Sequence, residues 1–101
     1  MRVIVFFDLP MDTYAEKREY SKFRKYLIRN GFMMLQKSVY CKLALNGTAA
    51  GAIISNVRKN KPAHGLVQMM VITEKQYQRM EFVIGEVVSN VIDSTERLII
   101  L

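Results

Sequence analysis

Five consecutive apolar residues near the start of the chain, Val3, Ile4, Val5, Phe6 and Phe7, constrain its fold more than any other feature. β-Branched and aromatic side chains at every position, without alternation, describe a strand covered on both faces, hence a central one. Asp8-Leu9-Pro10 ends it, because proline has no amide to offer a ladder. Asp12 or Thr13 can then cap a helix, and Glu16 stands where a capping box with Thr13 requires it. A helix is predicted over residues 14–30, stopped by Gly31 in a left-handed conformation. Tyr20, Phe23 and Leu27 fall on one side of it. Arg18, Lys22, Lys25 and Arg29 fall on the other, within about 60° of one another.

Residues 32–45 read as one long extended segment, bent or bulged near Gln36 or Lys37. Lys37, Val39, Cys41 and Leu43 point to one side of it, Ser38, Tyr40 and Lys42 to the other. Asn46-Gly47-Thr48 opens a second helix with Ala49, Ile53, Ile54 and Val57 as its inner stripe. It ends at Asn60-Lys61-Pro62, trailing Arg58, Lys59 and Lys61. A strand over residues 64–72, a capped turn at Thr73-Glu74-Lys75-Gln76 and a short strand over 80–84 follow. The uncharged edge of a last strand, residues 97–101, is expected to pair with a sheet, that of a partner subunit being a ready candidate. The order suits one α+β domain, residues 1–101, of β-α-β-β-α-β ferredoxin-like type, although this parse sets the second helix between the middle strands.

Charge narrows the function classes. Residues 1–42 carry nine Lys or Arg against four acids, residues 43–65 three against none, and residues 66–101 three against five, for a net +6. A basic excess favours polyanionic partners through counterion release. The single cysteine, Cys41, excludes a disulfide framework and a thiolate metal site. The first residues do not read as a signal peptide, so none is expected, and no apolar run approaches the roughly 20 residues of a membrane span. A cytoplasmic protein without membrane association is expected. No nucleophile-histidine arrangement can be drawn, and His64 reads as a strand-end residue. The one candidate for chemistry is Asp8, at the end of a buried strand, where open sheets place functional groups. Magnesium uses one or two carboxylates with waters and phosphate oxygens, so two Asp8 residues across a dimer axis would make a credible site. On local sequence, Asp8 suits a cap of the Leu9-Pro10 turn equally well.

Phe6-Phe7-Asp8-Leu9-Pro10, Arg18, the Phe23-Arg24-Lys25-Tyr26-Leu27 helix, Gly31-Phe32 and Gln36-Lys37-Ser38-Val39-Tyr40 together resemble the CRISPR-associated protein two family. Lys42-Leu43-Ala44-Leu45-Asn46 and Glu96-Arg97-Leu98 resemble the subgroup found beside single-effector (type II) systems. The resemblance implies a ferredoxin-like homodimer whose C-terminal strand joins the other subunit's sheet. It implies a structural, DNA-binding subunit of the spacer-acquisition complex, bridging dimers of the CRISPR integrase and holding the double-stranded prespacer. The alternative it carries is a magnesium-dependent endonuclease, on RNA or DNA, with Asp8 as metal ligand and catalytic residue. The DNA contacts expected here are Lys17, Arg18, Lys22, Lys25, Lys37 and Lys42. An RNA-binding module of the same topology would display stacked aromatics on a central strand, and residues 64–72 contain none.

Overall fold

The protein is described by a computed structural model over residues 1–85. The elements are β1 (Arg2–Asp8), α1 (Tyr14–Arg29), β2 (Met33–Gln36), β3 (Val39–Leu43), α2 (Gly47–Lys59), β4 (Leu66–Ile72) and α3 (Glu74–Gln78). The expected strand at 97–101 lies outside the described residues. Four strands form an antiparallel sheet in the order β2-β3-β1-β4, with β1 inside as its apolar run requires. Thr13 caps α1: its hydroxyl accepts from the Glu16 amide at 3.1 Å, and the Glu16 carboxylate accepts from the Thr13 amide at 2.9 Å. Asn46 caps α2, and a second capping box, Thr73 with Gln76, opens α3.

Two expectations need correction. The single extended segment over 32–45 is a hairpin of β2 and β3, reversed at Lys37 and Ser38. Ser38 sits at φ 64°, in the left-handed region, and its carbonyl accepts from the Phe7 amide at 3.0 Å. Splitting that segment puts α2 after both middle strands, which makes the order ferredoxin-like. Residues 80–84 form no strand: no ladder partner stands beside them among the described residues, and Val83 and Ile84 are almost fully exposed.

Both long helices cover one face of the sheet. Val3, Val5 and Phe7 of β1 and Tyr40 of β3 point to them and meet Phe23, Leu27, Phe32, Ala50 and Val57. Phe7 is the hub, edge-on to Phe23 at 5.1 Å and stacked with Tyr40 at 5.7 Å. Each such pair adds about 0.5–1.5 kcal/mol beyond the area it buries. The register sends Ile4, Phe6, Val39, Cys41, Leu43, Met70 and Leu66 to the opposite face. Ile4 and Cys41 are buried there, yet Leu43, Leu66 and Met70 remain 60%, 55% and 48% exposed.

Candidate nucleic-acid interface

The periodicity of α1 divides it as the sequence suggests. Phe23 and Leu27 are buried and Tyr20 half-buried, while Arg18, Lys22, Lys25 and Arg29 stand exposed on the outer side. Eleven helical steps separate the first and last of these cations, about 16 Å at 1.5 Å per residue. Along a duplex that length covers about five base pairs of rise at 3.4 Å each. Lys17 is exposed beside the stripe. Among the described residues the ion pairs are those of Glu74 with Arg2 and with the N-terminal ammonium, so no carboxylate neutralises the stripe. Glu16 is engaged by the Thr13 and Asp12 amides, which hold its carboxyl below the usual carboxylate range. Glu19 lines a small hollow with Leu9, Pro10, Pro62 and His64.

Chain direction gathers a second group at one edge of the sheet. β1 ends there at Asp8, α1 begins there, the β2–β3 turn reverses there, and α2 ends where β4 begins. Asp8 is exposed and pairs in register with Leu66. Lys37 projects from the adjacent turn, whose Ser38 hydroxyl shares a 3.2 Å hydrogen bond with the Tyr20 hydroxyl. That lock was not legible in the sequence. No group of three or more His, Cys, Asp or Glu able to hold a metal occurs among the described residues. Asp8 alone therefore suits magnesium only where a second chain, waters or phosphate oxygens complete the shell.

The structure thus places Lys17, Arg18, Lys22 and Lys25 along one helix and Lys37 at the Asp8 edge. Lys42 is apart from them. It lies on the helix-covered side, and its ammonium donates to the Asn30 carbonyl at 2.6 Å, closing the end of α1. Arg2, not singled out by the sequence reading, stands at the far end of the sheet. Its Nε donates to both Glu74 carboxylate oxygens at 3.1 and 3.0 Å, and its guanidinium lies 3.9 Å from the centre of the Tyr77 ring. Burial works against the Arg2 charge, but its contacts with Glu74, Cys41 and Tyr77 together raise its pKa. The Arg2 hydrogen bond in turn holds the Glu74 carboxyl below its ordinary range, helped by the N-terminal ammonium.

The family model described as "CRISPR associated protein Cas2" matches residues 1–80. A protein of Treponema denticola named CRISPR-associated endoribonuclease Cas2 is 54% identical over 101 residues, covering 100% of both chains. One of Streptococcus mutans serotype c with the same name is 44% identical over 101 residues, covering 100% of this chain and 93% of that one. A crystal structure of Streptococcus pyogenes Cas2 at pH 6.5 shares the fold, with TM-score 0.61 at 17% identity over 84% of this chain and 100% of that one.

Proposed function

This chain belongs to the CRISPR-associated protein Cas2 family, and we propose that it is a non-catalytic, DNA-holding subunit of a spacer-acquisition complex. In this reading a homodimer bridges integrase dimers and supports the prespacer duplex. The observation that supports it most is the stripe of cations along α1, which no carboxylate neutralises among the described residues. Such a row meets phosphates and gives affinity without sequence readout. The half-exposed apolar face across the sheet suits burial against a second copy. Its area adds to what a chain of 101 residues can bury alone.

A second reading is favoured by the relatives' names, which describe endoribonucleases, and by the exposed carboxylate of Asp8 at a strand end. It makes Asp8 of both copies the ligand of a magnesium ion, which when bound would stabilise charge on a phosphate. The chain's own part would be to hold that carboxylate at the edge where Lys37 stands. The test is integration of a short duplex into a CRISPR repeat by the cognate integrase, alone, with this protein, and with its Asp8→Ala form. Equal stimulation by both forms identifies a scaffold. Stimulation by the wild type only, with the variant folded and dimeric, supports the metal reading, as does magnesium-dependent cleavage of RNA or DNA lost in Asp8→Ala.

A further inference from the structure

We infer that the α2–β4 turn is a second phosphate-binding site, in which Arg58, Lys59 and Lys61 take the duplex backbone as it passes the Asp8 edge. The inference rests on the DNA-holding role proposed above and adds to it a surface on another element. Residues 43–65 contain three bases and no acid. All three bases are exposed, and none has a carboxylate within ion-pair distance among the described residues.

What turns this charge into a site is where the backbone seats it. Leu66 pairs with Asp8, and only residues 61–65 separate it from Asn60, the last cap of α2. That connection spans at most about 18 Å of chain. It is also pinned. Gly65 lies at φ 101°, and a Cβ on it would come within 2.9 Å of the Asp8 carbonyl oxygen and 2.6 Å of the Leu9 side chain. Only glycine allows that approach. Pro62 and His64 rest in the same hollow as Leu9, Pro10 and Glu16. The turn is therefore fastened to the strand end that carries Asp8, with Lys37 on the adjacent hairpin.

An ordinary explanation exists for part of this set. Arg58 and Lys59 stand in the last turn of α2, where cations offset the helix dipole. It does not extend to Lys61, which lies beyond the helix after Asn60 has already closed it: the Asn60 amide bonds Val57 and its side chain bonds the Asn56 carbonyl at 2.8 Å. Lys61 is thus the residue that separates the two explanations.

The experiment measures binding of the full-length protein to a mixed-sequence DNA duplex of about 30 base pairs across a salt series. The variants are Arg58→Gln/Lys59→Gln/Lys61→Gln, Lys61→Gln alone, and Lys22→Gln/Lys25→Gln on α1. Loss of three phosphate contacts on each protomer, six across the dimer, lowers the slope of log affinity against log salt by about 5.4. Lys61→Gln alone, two contacts across the dimer, lowers the slope by about 1.8, and it decides the matter should the triple variant fold poorly. A wild-type slope in both turn variants, with binding weakened in the α1 variant, overturns the inference and leaves the proposed function standing. Weaker binding with an unchanged slope also overturns it, since the turn would then act through structure and not charge. No duplex binding by the wild type removes both.

Discussion

Ser38 offers a sharp test of how the edge beside Asp8 is held. At φ 64° it occupies a conformation that costs a residue with a Cβ about 1–2 kcal/mol. It is kept there by the Phe7 amide on its carbonyl at 3.0 Å and by the Tyr20 hydroxyl on its own at 3.2 Å. Ser38→Gly removes the strain. It also frees the unfolded chain, at about 0.4–1 kcal/mol, and loses one hydrogen bond of about 1 kcal/mol. These effects nearly cancel, and the variant should lie within about 0.5 kcal/mol of wild type by that sum. Ser38→Ala keeps the strain and loses the bond, so it should be about 1 kcal/mol less stable, a melting point lower by about 4–8 °C. Tyr20→Phe should cost a similar amount in the wild type and almost nothing beside Ser38→Gly. Urea unfolding at one protein concentration measures all four, which removes the mass-action effect of dimerisation. The reasoning is refuted if Ser38→Gly proves less stable than Ser38→Ala, because the left-handed conformation would then carry no strain for glycine to relieve.

Gly65→Ala combines a positive φ with a clash against backbone and should lose about 2–4 kcal/mol by urea unfolding. Lys22→Gln/Lys25→Gln removes four contacts across the dimer and should lower the salt slope of duplex binding by about 3.6, so the wild type's advantage is about 150-fold greater at 50 mM than at 200 mM salt. Glu74 has a depressed pKa in the folded state, so its contribution to stability is whole above the unfolded carboxyl value of about 4.3 and is lost as pH falls through the folded one. Acid unfolding of Glu74→Gln should accordingly show a flatter stability profile below about pH 4.5 than that of the wild type.

Features set by near neighbours in sequence were legible. The two capping boxes, the two-sided division of α1 and the inner stripe of α2 follow from spacing alone. The hairpin was not, because its turn uses neither Asn-Gly nor Asp-Gly. Ser38 takes a positive φ only because Tyr20 and Phe7, distant in sequence, hold it there. Met33, Met34 and Leu35 likewise look like the start of an uninterrupted strand. Phe82, Val83 and Ile84 have strand composition, yet a strand needs a neighbour that composition cannot supply. The site divides in the same way. The α1 stripe is a property of periodicity. Lys42 looked like one more free cation, and only the fold brings it to the Asn30 carbonyl. The basic residues after Val57 were visible as charge, but their place beside Asp8 depends on the β1–β4 register.

The sheet separates two roles, and the separation can be tested. The α1 cations occupy the helical side, while the opposite face is largely apolar, with Leu43 60% exposed on β3 beside its cross-strand neighbour Arg2. Arg2 is already engaged by Glu74, so a carboxylate placed at position 43 would add charge to that face and should oppose burial against a second copy. Leu43→Glu is therefore expected to shift the protein toward monomer in sedimentation, with the helical face unaltered. Each protomer carries its own α1 stripe, so a duplex held across both halves releases twice the counterions of one held by a single protomer. The salt slope of the Leu43→Glu monomer should then be about half that of the wild-type dimer, whereas Lys22→Gln/Lys25→Gln should lower the slope and remain dimeric. If the monomer keeps the full slope, the duplex lies on one protomer alone, and the bridging role loses its physical basis even though the cations still bind DNA.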